Sequence, residues 1–116
     1  MSIERIGAGP RMSKAVIHGN TVYLAGQVAD KAKGGNVVDQ TKDVLSIIDD
    51  LLKQAGTDKS KLLSANIWLT DISTFAEMNS AWDAWVSPGN TPARATVEAK
   101  LAAPDYKVEI AVIAAK

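Results

Sequence analysis

Two charged residues stand where apolar ones would pack better: Arg94 in "PARATVEAKL" and Glu109 in "KVEIAVIAA". An arginine presents a planar fork that matches a carboxylate bidentately, and the Thr96 hydroxyl, two residues on, shares its strand face. A glutamate held in a largely apolar strand is a candidate general base or acid. Each has a plainer reading. Alternation alone also makes Arg94, Thr96, Glu98 and Lys100 the solvated side of an ordinary strand, opposite Ala93, Ala95, Val97, Ala99 and Leu101. Glu109 alternates with Ala111 and Ile113, while Val108, Ile110 and Val112 fill the other face, so it lies either at a wet strand end or in a site.

Geometry restricts how the two could cooperate. In a simple hairpin centred on Pro104, Ala99 would face Glu109 and Arg94 would lie about five positions further on, roughly 16 Å away at ~3.3 Å per residue. A shared site therefore needs either another strand order or a neighbouring subunit. Other chemistry is poorly supplied. Cysteine is absent and His18 is the only histidine, which removes thiol nucleophiles, thiolate metal sites and a choice of imidazole bases. His18 adjoins the turn at Gly19-Asn20 and reads as a turn-edge residue. "GAGP", residues 7–10, lacks the Lys-Ser/Thr and helix of a phosphate cradle. The three tryptophans lie in periodic elements and read as core or interface.

The elements that must position these residues follow from periodicity. Three strands are expected at residues 3–6, 15–18 and 21–26, the last two joined by the hairpin pair "GN". "VVDQTKDVLSIIDDLLKQAG" places Val38, Thr41, Val44, Leu45, Ile48, Leu51 and Leu52 at helical spacing, with Gly56 suited to the C-terminal cap. "LSANIWLTD" alternates Leu63, Ala65, Ile67 and Leu69 against Ser64, Asn66, Trp68 and Thr70. A second helix follows, with Thr74 and Glu77 as a capping box, a stripe of Phe75, Met78, Trp82 and Trp85, and a stop at Pro88-Gly89. Two strands close the chain. The order βββαβαββ predicts an α+β fold, a single mixed sheet with both helices on one face by right-handed crossover. Trp68, Ala111 and Ile113 leave the opposite face partly apolar, which predicts a homo-oligomer.

Composition sets the outer bounds. The 116 residues suit a single domain, and 47% hydrophobic content suits a packed core. Thirteen basic residues balance thirteen acidic ones and are scattered, so nucleic acid is not an expected partner. The N-terminus lacks the apolar core of a signal peptide, and no apolar run approaches membrane-spanning length, which predicts a cytoplasmic protein with no membrane partner.

The stretches "RMSKAVIHGNTVYLAGQVAD", "DQT", "IDDLLKQAG", "MNSAWDAW", "PARATVEAKL" and "KVEIAVIAA" together resemble the reactive intermediate deaminase (Rid, YjgF-like) family across nearly the whole chain, most closely its short YoaB-like branch. The resemblance implies a chorismate-mutase-like fold in a homotrimer whose sheets line a central barrel, with ligand clefts between subunits. It implies hydrolysis of reactive 2-imino or enamine acids to 2-keto acids and ammonia, with no cofactor and no metal. The family's carboxylate-binding arginine falls on Arg94, its water-positioning acid on Glu109 and its ligand-contacting asparagine on Asn79. Its backbone-lined turn falls on Gly26 and the small polar residue after the arginine on Thr96. Met12 stands where deaminases often have tyrosine, Ala25 replaces a hydroxyl residue and Thr96 a common cysteine, departures that bear on substrate identity. Within the same resemblance, the rival class is a non-catalytic keto-acid binding or sensing module, with an endoribonuclease-like role the weaker alternative.

Overall fold

The computed structural model describes residues 2–116, and one mixed sheet dominates it. Strands β1 (Ile3–Ile6), β2 (Ala15–His18) and β3 (Thr21–Leu24) form the expected antiparallel meander. Gly19, at φ 62°, makes the tight β2–β3 turn, and His18 is exposed beside it. The expected third strand is shorter than read. It breaks at Ala25-Gly26 and resumes as the two-residue β4 (Gln27–Val28), which pairs with the last strand.

Helix α1 (Val37–Gln54) is capped by Asn36, whose side chain accepts from the Asp39 N–H, and it stops before Gly56 at φ 83°. Its buried stripe includes Val37, Val44, Leu45, Ile48, Leu51 and Leu52; Val38, expected inside, is only half-buried. Strand β5 (Leu62–Leu69) carries a register shift between Leu62 and Ser64. This bulge buries Leu62 and leaves Leu63 51% exposed, against the simple alternation.

Helix α2 (Phe75–Trp85) begins differently from expectation. Thr74 makes no capping bond to the helix; its hydroxyl donates to the Asp71 carbonyl. Asp71 caps the preceding turn instead, accepting from the Ser73 N–H and hydroxyl, and Glu98 accepts from the Ile72 N–H at 3.0 Å. The local Asx-type bonds thus displace the Thr74–Glu77 box. The predicted stripe is only partly buried: Met78 and Trp82 are inside, while Phe75 is 41% exposed.

Strands β6 (Ala93–Glu98) and β7 (Val108–Ala115) complete the sheet, whose spatial order is β1-β2-β3-β7-β5-β6. β6 and β7 are not a hairpin. β5 lies between them, parallel to β6 and antiparallel to β7, so α2 is the crossover of a parallel pair. The core joins the α1 stripe and Met78 and Trp82 of α2 to Ile67 and Leu69 of β5 and Val108, Ile110 and Val112 of β7.

Gln40, at the start of α1, is fully buried and clamps the β6–β7 connection. Its Nε2 donates to the carbonyls of Gly35 and Asp105, and its Oε1 accepts from the Lys107 N–H. Every polar atom of the buried amide is thereby used.

Candidate functional site

Register decides which face each candidate occupies. Arg94, Thr96 and Glu98 lie opposite Ala65, Ile67 and Leu69, the buried side of β5, and so face the helices. Ala93, Ala95 and Val97 lie opposite Ser64, Asn66 and Trp68 on the other face, where all three are exposed. The reading of Arg94 as the solvated side of its strand is thus inverted. As an edge strand, β6 presents its polar side to a cleft under α2 and its apolar side outward.

In that cleft the Arg94 guanidinium is built into a frame. Its Nη1 donates to Asn79 Oδ1 at 2.8 Å, and its Cζ lies 5.3 Å from the ring centre of Trp82 and 5.7 Å from that of Phe75. Trp82 in turn packs on Trp85 at 5.4 Å, and Trp85 Nε1 donates to Asp49 of α1 at 3.0 Å. The arginine hydrogen-bonds an amide and no carboxylate among the described residues, so its charge is unneutralised. Beside it, Thr96 Oγ1 is buried with no hydrogen-bond partner among the described residues. An open guanidinium fork matches a carboxylate, and the neighbouring hydroxyl has an unused bond to give.

Glu109 and the Gly26 turn lie on the other face. Glu109 pairs in register with Trp68 and with Val28, and its side chain lies across Gly26. A Cβ at Gly26 would overlap Glu109 Oε2 and stand 3.0 Å from Cδ, so only glycine lets the carboxylate rest on that turn. Met12 is 54% exposed in the β1–β2 loop, where it helps line a cleft of about 490 Å³ with Gly7, Pro10 and Lys14. The Ala25 N–H bonds the Lys14 carbonyl at 2.9 Å, which ties this loop to the Gly26 turn.

One protomer therefore does not bring the six residues together. Arg94 is level with Val112 and Glu109 with Val97, two strands across and three residues along, which is ~14 Å on opposite faces. Met12 belongs to the opposite edge of the sheet, roughly 24 Å from β6 at ~4.8 Å per strand. The candidates fall into two groups, each half of a candidate site: Arg94, Thr96 and Asn79 in one, Glu109 and Gly26 in the other, with the Met12 loop tied to the Gly26 turn through Lys14.

A family model described as endoribonuclease L-PSP matches residues 2–116. The chain belongs to that family. A RutC family protein of Haemophilus influenzae is 49% identical over 114 residues, 98% of both chains. RutC family protein YoaB of Escherichia coli is 46% identical over 115 residues, 99% of both. The solved structure of a YjgF family member from Neisseria meningitidis is similar with a TM-score of 0.96 at 46% identity, covering 100% of this chain and 96% of that one. The resemblance to the YjgF-like family and its YoaB-like branch is borne out, as is the single mixed sheet with two helices.

Within this YjgF-family chain, sequence reasoning missed the aromatic frame. Phe75, Asn79 and Trp82 recur at i, i+4 and i+7 on α2, one helical stripe. The spacing was legible; only the arrival of Arg94 from β6 turns it from a packing stripe into a cation seat. Among the described residues, no helix is long and apolar enough to cross a membrane.

Proposed function

We propose that this protein hydrolyses reactive 2-imino and enamine acids to 2-keto acids and ammonia, in clefts formed between the subunits of a cytoplasmic homotrimer. The observation that carries this reading is the Arg94 half-site: a framed guanidinium with no carboxylate partner, beside a buried hydroxyl with nothing to bond. It has the chemistry of a waiting carboxylate receptor. Glu109 lies elsewhere in the protomer, so the reading requires a second copy, packed along the β6 edge and the apolar outer sheet face, to carry its Glu109 to the Arg94 cleft and close a chorismate-mutase-like barrel.

The geometry supports the following sequence. Arg94 clamps the substrate carboxylate through its free N–H groups and orients the imine carbon, with Thr96 bonding a second polar atom. Glu109, from the neighbouring subunit, accepts a proton as water adds to C2, and the C=N bond becomes a single bond in a carbinolamine. Glu109 returns that proton to nitrogen, then takes the proton of the carbinolamine hydroxyl and delivers it to the amine; as the C–N bond breaks the C–O bond becomes C=O, and ammonia and the 2-keto acid leave. No electrons are transferred, so the reaction calls for no redox cofactor. Met12, the Gly26 turn and Asn79 complete the lining.

A non-catalytic keto-acid binding role is the second reading, favoured by the completeness of the Arg94 half-site within one protomer. An endoribonuclease role is not favoured, because the one histidine, His18, stands exposed at a hairpin turn with no second imidazole for acid–base cleavage. The test couples a pyridoxal-phosphate dehydratase to this protein and follows imine loss. Keto-acid release that wild type accelerates and Arg94→Ala leaves at the uncatalysed rate supports the deaminase. Binding of 2-oxobutanoate without any acceleration supports the binding module and rejects the deaminase.

A further inference from the structure

Asn79 has so far been a candidate ligand contact, yet in the structure its side-chain oxygen is spent on Arg94. We propose that Asn79 is a positioning residue, which fixes the roll of the Arg94 guanidinium so that one defined edge faces the ligand. The proposal rests on the reading of Arg94 as the carboxylate site.

Three contacts define the guanidinium, and they do different work. The rings of Phe75 and Trp82, one turn either side of Asn79 on the same helical stripe, fix where the cation sits, at 5.7 and 5.3 Å from its Cζ. Attraction to a ring face is broad in angle, so two rings leave the plane free to swivel. The 2.8 Å bond from Nη1 to Asn79 Oδ1 removes that freedom, because it is directional and names one nitrogen. A guanidinium carries five N–H groups, and Asn79 takes one. Four remain, including the Nε–Nη2 edge, enough for a bidentate carboxylate in a preset orientation.

The residue type also matters. An aspartate here would hold Arg94 as firmly but would neutralise it, becoming an internal rival of the substrate. Asparagine holds the cation without cancelling its charge. The helix itself is tied down at both ends of the cleft, by the Ile72 N–H on Glu98 and by Trp85 on Asp49, so Asn79 is a fixed point for the arginine.

Asn79 is half-buried on a helix surface, so substitutions there leave the core intact. Two readouts test the role. In 15N NMR of the ligand-free protein, the wild-type Arg94 Nη groups give separate, slowly exchanging signals, and Asn79→Ala averages them. In calorimetry with 2-oxobutanoate as probe, Asn79→Ala raises Kd about five- to tenfold, the worth of one lost hydrogen bond. Asn79→Asp raises it more, roughly fiftyfold, with no fall in Tm, since the arginine is held but its charge is taken. Unchanged Nη exchange in Asn79→Ala overturns the proposal, because a direct ligand contact would weaken binding without freeing the guanidinium. So does Asn79→Asp binding as well as wild type. The NMR readout needs no ligand, so it stands even if Arg94→Ala still binds the keto acid, a result that would instead sink the carboxylate-site reading.

Discussion

Substituting Gly26 by alanine should disable Glu109 without touching it. The added Cβ overlaps Glu109 Oε2 and stands 3.0 Å from Cδ and 3.2 Å from Cγ, so both groups cannot keep their places. Gly26 is not among the glycines in the left-handed region, so alanine meets no backbone penalty there. The flexible end of the glutamate is the softer party and must swing away. An off-rotamer side chain costs about 0.5–1.5 kcal/mol, and a glycine-to-alanine change at a permissive backbone returns about 0.4–1 kcal/mol. The net is within about 1 kcal/mol, which for a chain of this length moves Tm by no more than ~4 °C. The catalytic effect is disproportionate. Gly26→Ala should lower imine hydrolysis to within about twofold of Glu109→Ala, and the double variant should be no slower than either, as expected for groups acting as one unit. Thermal unfolding, the coupled dehydratase assay and keto-acid calorimetry read the three consequences, with Kd staying within about threefold of wild type because Arg94 is untouched. Full turnover by Gly26→Ala would refute the placement of Glu109. A Tm loss well beyond 10 °C would show that the backbone, and not the side chain, gives way.

Two other outcomes follow from the polar groups around the arginine cleft. Thr96→Val removes a buried hydroxyl that has no partner and should raise Tm by about 4 °C, near 1 kcal/mol, while weakening keto-acid binding severalfold; a lower Tm would mean that the hydroxyl is satisfied. The Asp71 carboxyl is held below its ordinary 3.8 chiefly by the Ser73 hydroxyl and then by the Ser73 N–H. Its folded value lies below its unfolded one, so its contribution is complete above 3.8 and lost as pH falls through the depressed value. Tm measured between about pH 2 and 5 should therefore fall more steeply in wild type than in Asp71→Asn, and equal slopes would contradict the cap.

Most of the elements were legible because periodicity and turn chemistry act locally. The α1 stripe, the Gly19-Asn20 hairpin and the Gly56 stop each depend on a few neighbouring residues. What was lost depended on the sheet or on competing local turns. The bulge at Leu63 shifts one residue of an otherwise regular alternation, and nothing in "LLSANIWL" marks it. The capping of α2 passed from Thr74 to Asp71 because Asp71 and Ser73 close a tighter local turn first, with help from Glu98 across the cleft. Arg94 is the clearest case. Alternation correctly separated its side of β6 from that of Val97, but assigned the polar side to solvent, since the position of β6 at the sheet edge and of α2 beneath it are long-range facts. Arg94 and Glu109 needed another strand order or another subunit in order to meet, and insertion of β5 between β6 and β7 still leaves them on opposite faces.

The central claim is that a working site takes Arg94 from one subunit and Glu109 from the next. Subunit mixing tests it directly. Arg94→Ala and Glu109→Ala are each purified, shown to be inactive, then unfolded together in equal amounts and refolded. Random assembly into a ring pairs an intact Arg94 with an intact Glu109 at about one interface in four. Imine hydrolysis should return to about a quarter of the wild-type value per subunit while each variant refolded alone stays inactive. Mixed assemblies that form but remain as inactive as their parents would contradict the account.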